Sequence, residues 1–307
     1  MAPAIEAAGL TRTFGEFRAV DAIDLSVREG ELFSLLGPNG AGKTTAIKML
    51  CCLLRPSAGT ATVMGHDIVG DPIGVKSLIA LSPQETAIAE HLDAWENLLL
   101  MAGLHGLGGS KARQRAGDLL DMMGLVDRGN DKTKHYSGGM KRRLSLAMAL
   151  VSEPAVLFLD EPTLGLDPQS RRAIWEHIAD LKGRATIVLT THYLEEADAL
   201  ADRVEIIDDG RIVALGTPAE LKESISDGAV TIVELDHITS EALGALRERF
   251  EQVSRTDRGI EIAAESVDLY DIEDILRPRG VAVKSTYQKQ VTLDDVFLEL
   301  TGKQMRE

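Results

Sequence analysis

At 307 residues, 44% of them apolar, the chain is long enough for one large domain or a domain with an appendage, and it can fill a packed core. A formal net charge of -15 and a pI near 5.0 argue against broad nucleic-acid binding, because an acidic surface repels phosphate unless a local basic patch intervenes. The two cysteines are the neighbours Cys51 and Cys52, with no other to complete a metal or redox site, so core packing in a reducing compartment is expected of them.

Met1 to Gly9 has neither the basic start nor the apolar run of a secretory signal. No stretch approaches the roughly 18 apolar residues that span a bilayer, so any membrane role is expected to come through a partner. Ala4 to Ala8, Phe17 to Val27 and Glu31 to Leu36 are short β-type runs punctuated by Gly9, Gly15 and Gly30, which predicts a β-rich N-terminal lobe. Phe14 sits on a glycine-bounded turn, where its ring could stack on a base or pack in the core; composition does not separate the two.

Gly37 to Thr45, Gly-Pro-Asn-Gly-Ala-Gly-Lys-Thr-Thr, fits the G-x-x-x-x-G-K-[ST] phosphate-binding pattern. Gly37, Gly40 and Gly42 free the backbone of Cβ hindrance, so successive N–H groups can turn inward around an anion at the start of a helix, predicted over Thr45 to Leu54. Lys43 would reach the β- and γ-phosphates, and Thr44 would offer its hydroxyl to Mg²⁺. Strand-like Gly59 to Met64 and Ser77 to Ser82 follow, the latter ending at Pro83-Gln84. From Thr86 to about Leu150 the pattern turns helical, with Leu119, Leu120, Met122 and Met123 at core spacing.

Ala155 to Leu159 is apolar on both faces, as a buried parallel strand is, and runs into Asp160-Glu161. That pair could be a solvated strand end or a helix cap. Its place after a buried strand and downstream of a phosphate loop favours chemistry instead, because ligands bind at the carboxyl edge of open α/β sheets. Asp160 is placed to hold Mg²⁺, directly or through water, opposite Thr44, and Glu161 sits where an attacking water would be. A helix is predicted over Pro168 to Leu181 and a second buried strand over Ala185 to Thr190, with His192 at its end. Val204 to Ile207 and Ile212 to Leu215 read as a closing hairpin.

His135 to Arg143, His-Tyr-Ser-Gly-Gly-Met-Lys-Arg-Arg, resembles the signature of the ABC (ATP-binding cassette) ATPases. The resemblance covers residues 1 to about 225, with the motifs in family order. Phe14 matches the adenine-stacking aromatic and Gln84 the Q-loop glutamine. Gly37, Pro38, Asn39, Gly40, Ala41, Gly42, Lys43, Thr44 and Thr45 match the Walker A loop. Ser137, Gly138 and Gly139 match the signature. Val156 to Asp160 with Glu161 match the Walker B strand and its catalytic glutamate, Asp167 the D-loop, and His192 the switch histidine. Two positions depart from the family: Phe14 stands for the usual tyrosine, and Met140 for the usual glutamine, so Met140 is left out of the expected ligand set.

The resemblance implies an α/β P-loop NTPase, with a RecA-like core, an antiparallel β lobe and an α-helical subdomain at about 86–150. It implies ATP and Mg²⁺ as cofactors, with Thr44, Gln84 and Asp160 around the metal and Glu161, His192 and Gln84 in catalysis. It also implies a head-to-tail homodimer, each ATP lying between the Walker A loop of one chain and Ser137 and Gly139 of the other. Residues 229–307 alternate strand and helix as a small α+β accessory domain, and their last helix places Leu293, Val296, Phe297 and Leu300 on one face behind a Thr292 cap. The ending Thr-Leu-Asp-Asp-Val-Phe-Leu-Glu-Leu-Thr-Gly looks like that of the daunorubicin/doxorubicin resistance ATP-binding family. With no catalytic constellation in this region, a packing, dimer-stabilising or regulatory role is expected of it. The implied function is the ATP-hydrolysing subunit of a bacterial exporter of drugs or other hydrophobic compounds, working at the cytoplasmic face of the membrane under a separate integral-membrane permease. The alternative is a soluble ABC ATPase acting on ribosomes or DNA; one Walker A loop and the acidic charge disfavour it. A regulatory module without turnover is disfavoured by Glu161 and His192. The transported substrate is not written in the chain.

Overall fold

A computed structural model of the chain describes residues 3–225, 229–250, 252–264, 267–289 and 291–303, so the start of the predicted span 1–225 and the end of the predicted span 229–307 lie outside the described residues. The chain divides into two compact units, Met1–Pro218 with Leu300–Glu307, and Ala219–Glu299. The first part of the chain runs β1 (Pro3–Phe14), β2 (Phe17–Arg28), β3 (Leu32–Leu36), α1 (Lys43–Leu50), β4 (Ala58–Val63), β5 (His66–Asp67), α2 (Pro72–Leu78) and β6 (Ile79–Ser82). There follow α3 (Ala94–Leu104), α4 (Gly109–Met122), α5 (Gly138–Leu150), β7 (Val156–Asp160), α6 (Pro168–Ala179), β8 (Thr186–Thr191), α7 (Leu194–Leu200), β9 (Arg203–Asp208), β10 (Arg211–Gly216) and α8 (Pro218–Ser224).

A six-stranded sheet in the order β10-β9-β3-β8-β7-β6 forms the centre, parallel except for β10. The continuous apolar strands are explained by burial on both faces. Leu157 and Leu159 face a core shared with α3, α4, α5 and α6, while Val156 and Phe158 face a core shared with β1, β2 and α1. Burying each such side chain contributes roughly 1.5–3 kcal/mol, so the strand is held stiffly up to its last residue. The register then aligns three strand ends: Leu36 pairs with Thr191, and Asp160 with Thr190. The phosphate loop after β3, the carboxylates at the end of β7 and His192 after β8 are therefore neighbours by construction. A second sheet, β2-β1-β4-β5, is the antiparallel lobe, its long hairpin closing at the Phe14–Phe17 pair.

The helix after the phosphate loop and the run Ser77 to Ser82 depart most from the expectations. α1 starts at Lys43 and stops at Leu50, because Cys52 takes a left-handed φ of 55° and the N–H groups of Leu53 and Leu54 turn back onto the Lys48 carbonyl. Cys51 is thus the helix cap, buried as expected, and Cys52 lies beyond it, half-buried. The run Ser77 to Ser82 is not all strand: α2, capped by Asp71 with proline in its first turn, occupies its start and leaves β6 only from Ile79.

The second unit holds β11 (Ala229–Leu235), α9 (Ser240–Arg249), β12 (Gln252–Thr256), β13 (Gly259–Ala264), α10 (Leu269–Leu276) and β14 (Val283–Lys289), followed in the chain by α11 (Leu293–Thr301). This βαββαβ succession with the antiparallel order β12-β13-β11-β14 is the ferredoxin-like arrangement. Val233, Leu235, Ile260 and Ile262 form a core with Ala242 and Leu246 of α9 and Ile272 and Leu276 of α10. In α11, Leu293, Val296 and Phe297 are buried, and Thr292 exchanges hydrogen bonds with Asp295 as a cap.

Candidate nucleotide site

The phosphate loop is held by two close approaches that only glycine permits. A Cβ on Gly37 would lie 2.1 Å from the Ile207 carbonyl oxygen. Gly42 caps α1 at φ 106°, and a Cβ there would lie 2.3 Å from the carbonyl oxygen of Ala19. The loop opens on a cavity of about 340 Å³. It is lined by Pro38, Asn39, Gly40, Gly42, Lys43, Thr44 and Thr45 of the loop and α1, by Phe14, Phe17 and Ala19 of the β1–β2 hairpin, and by Gln84 and Glu161. Gly37 and Ala41 shape the loop without lining the cavity; Ala41 is buried in the core with β1 and β2. Phe14 is 47% exposed, and the Arg12 guanidinium lies 4.5 Å from its ring centroid, so the ring is not a core contact.

At the carboxyl ends of β7 and β8 the charged groups bond to one another. Thr44 Oγ1 donates to Asp160 Oδ1 at 3.0 Å, and Thr190 Oγ1 donates to the same oxygen at 2.6 Å. Glu161 Oε1 pairs with Lys43 Nζ at 3.0 Å, and Glu161 Oε2 bonds His192 Nδ1 at 2.7 Å. Lys43 Nζ also donates to the carbonyls of Gly37 and Pro38, at 2.6 and 3.1 Å. Burial pushes the Glu161 pKa up, but the His192 hydrogen bond and the Lys43 charge outweigh it and hold the group below its ordinary value, so it is a carboxylate at neutral pH. Glu161 sits at φ 49°, uncommon for a residue with a Cβ, and its N–H is fixed by Thr190 O and Oγ1, both at 3.1 Å.

Ser137 caps α5, accepting from Met140 N at 3.3 Å, and Asp167 caps α6, accepting from Gln169 N, Ser170 N and the Ser170 hydroxyl. The Ser170 bonds hold Asp167 below the usual carboxylate range. Within one chain, Ser137, Gly138, Gly139, Asp160 and Asp167 do not line the cavity, whereas Phe14, Gln84, Glu161 and the loop residues other than Gly37 and Ala41 do; Asp160 reaches it through Thr44 and His192 through Glu161.

A family model described as "ABC transporter" matches residues 20–164, and one described as "ATP-binding protein DrrA1-3-like, C-terminal domain" matches residues 216–301. A daunorubicin resistance ATP-binding protein of Streptomyces coeruleorubidus is 42% identical over 308 residues, covering 99% of this chain and 97% of the relative. The Nod factor export ATP-binding protein I of Burkholderia orbicola is 37% identical, with 99% and 98% covered. The chain belongs to the ATP-binding proteins of ABC transporters. It is an ABC ATPase, homologous to drug-resistance ATP-binding proteins over its whole length. A solved ATP-binding subunit of an ABC transporter shares its fold with a TM-score of 0.65 at 31% identity, covering 72% of this chain and 92% of that one. A dimeric cassette in a post-hydrolysis state, bound to ADP and Pi, aligns with a TM-score of 0.63 at 25% identity, over 69% and 98% of the two chains. Among the described residues of this ABC ATPase, no helix is long and apolar enough to cross a membrane.

Three side chains escaped the sequence reading. Phe17 faces the cavity beside Phe14; the signal was an aromatic pair flanking one glycine turn. Thr190 bonds both Asp160 and Glu161 from inside a strand that reads as uniformly buried. Arg142, in the basic run Lys141 to Arg143 after the signature glycines, is buried.

Proposed function

We propose that this ABC ATPase works as a head-to-tail homodimer at the cytoplasmic face of the membrane, beneath a separate integral-membrane permease, and drives export of drugs or other hydrophobic compounds. The observation that carries the catalytic part is Glu161, an ionised buried carboxylate held between Lys43 and His192 and lining the same cavity as the glycine-rich loop. The drug-resistance names of its relatives support the export part.

The donors around Asp160 suit Mg²⁺. Thr44 Oγ1 and Asp160 Oδ1 are hard oxygens 3.0 Å apart, and Gln84, whose amide offers a third oxygen, lines the cavity together with Thr44. Bound there, the ion neutralises charge on the phosphates. Lys43 exchanges Glu161 and the loop carbonyls for phosphate oxygens, which frees one Glu161 oxygen to take a proton from water. His192, on the other oxygen, keeps the carboxylate in place. Stacking on Phe14 and Phe17 holds the base. A positioned general base contributes about 10² to 10⁴ in rate, so Glu161→Gln binds ATP and loses phosphate release by about that factor.

The dimer is tested by mixing. Lys43→Ala removes the loop half of a composite site, and Ser137→Arg the signature half. Each variant alone is inactive. Mixed in equal amounts, half the dimers are hybrids that retain one intact site of two, so about a quarter of the sites return under two-fold symmetry. A mixture that stays as inactive as its parents, although the chains exchange, refutes the shared site.

A further inference from the structure

Arg142 follows Ser137 along α5 and is 5% exposed. Its guanidinium enters between two segments of the site and finds four main-chain carbonyls. Nε donates to Pro162 O at 2.6 Å and Nη2 to Asp160 O at 3.1 Å. Nη1 donates to Pro83 O at 2.5 Å and to Gln84 O at 3.3 Å. Burial lowers its pKa to about 10, with the charges of Glu196, Asp160 and Glu161 opposing, so it remains a cation at neutral pH. Burying a cation is costly, and helix–sheet packing alone would be served by an apolar side chain of the same volume. One flat fork, with donors in fixed directions, instead ties the segment bearing Gln84 to the segment bearing Asp160 and Glu161. A second tie from the same helix, Ser145 Oγ to Ser82 Oγ at 3.2 Å, anchors the end of β6 just before Gln84.

We infer that Arg142 is a positioning residue for ATP hydrolysis, setting Gln84, Asp160 and Glu161 relative to one another and to the Ser137 end of α5. The inference rests on the roles proposed above for those three residues. The phosphate loop is held by other contacts, through Ala19, Ile207 and Lys43. Arg142 therefore acts on turnover and leaves nucleotide affinity nearly untouched. Because α5 carries both Arg142 and Ser137, a shift of the helix on engaging a second chain moves the glutamine and carboxylate segments together.

The test uses the full chain with Arg142→Met, Arg142→Lys and Arg142→Ala, measuring ATP binding by fluorescent-nucleotide titration and turnover by phosphate release. Displacing reacting groups by about 1 Å costs on the order of 10²-fold, so kcat falls by about 10- to 100-fold in Arg142→Met while Kd stays within about threefold. Arg142→Lys keeps the charge but not the fork and remains impaired. In Arg142→Ala, guanidinium at about 10 mM restores part of kcat, whereas equal methylammonium does not, because only the planar cation reproduces the donor set. A kcat within about threefold in Arg142→Met overturns the inference. So does a parallel loss of Kd, kcat and thermal stability without guanidinium rescue, or full activity in Arg142→Lys. Glu161→Gln, assayed alongside, separates the two levels: if it turns over normally the reading of the site fails, and if it is inactive while the Arg142 variants are active only the role of Arg142 fails.

Discussion

Replacing Glu205 with glutamine should stabilise this protein, and by more as the pH rises. Glu205 lies in β9, between β3 and β10, and is 1% exposed; its Oε2 has no hydrogen-bond partner among the described residues. Burial pushes its pKa from the ordinary 4.5 to about 8, with Arg203 opposing and Asp24 adding to the rise. Arg203 offers little relief because its guanidinium already serves Glu31 and the Ser26 carbonyl. The native state therefore holds a proton between pH 4.5 and 8 that the unfolded chain has released, and unfolding stability falls across that window as pH rises. At about 1.4 kcal/mol per pH unit, the loss reaches roughly 3 kcal/mol by pH 7. Glu205→Gln has no proton to lose, so it should gain roughly 3 kcal/mol near pH 7 and under about 1 kcal/mol near pH 5. For a unit of this size that corresponds to roughly 6–12 °C in Tm near neutrality. Urea and thermal unfolding of both proteins at about pH 5, 6, 7 and 8 measure it. A gain that does not grow with pH, or a variant destabilised near pH 7, would mean that Glu205 is charged and paired in the folded state, and the burial argument would be wrong.

Thr190→Val removes the bond to Asp160 Oδ1 and the acceptor for the Glu161 N–H; the Mg²⁺ concentration for half-maximal ATPase activity should rise by about 10- to 100-fold, as for other lost supports of metal ligands. His192→Ala leaves burial less opposed at Glu161, so the acid limb of the kcat profile should move to higher pH as well as kcat falling, and an unmoved limb would show that His192 does not hold the carboxylate. Gly42→Ala puts a Cβ 2.3 Å from Ala19 O at φ 106°, so the thermal shift produced by ATP in the unsubstituted chain should disappear.

The parts that were legible in the sequence are those whose physics is local. β3, β7 and β8 are buried on both faces, so each reads as a short run rich in apolar residues, and each leads into a residue with no reason to be apolar: Gly37 after β3, Asp160 at the end of β7 and His192 after β8. β12, which breaks the expected alternation of strand and helix, is not legible because Val253 is its one side chain buried in the core of the second unit, so an edge strand reads as polar loop. α2 was missed for a similar reason, with Val75 its one buried residue. Arg142 was illegible for the opposite reason: its environment is set by main-chain carbonyls, which any sequence possesses.

The same distinction explains where strain and buried charge collect. Glu161 follows the last residue of β7 in a left-handed conformation that costs on the order of 1–3 kcal/mol. The two bonds to Thr190 offset part of that cost throughout, and the buried pair with Lys43 adds to them while Lys43 has no better partner. A phosphate is a better partner for an ammonium than a carboxylate already shared with His192, since it carries more charge and accepts at several oxygens. On the mechanism proposed above, nucleotide arrival takes Lys43 from Glu161 while the fixed N–H and His192 still aim the carboxylate. In that proposal the buried ion pair seen at Glu161 and the base that acts on water are one carboxylate in two partnerships, and the stiff apolar sheet beneath lets the partner change without the geometry relaxing.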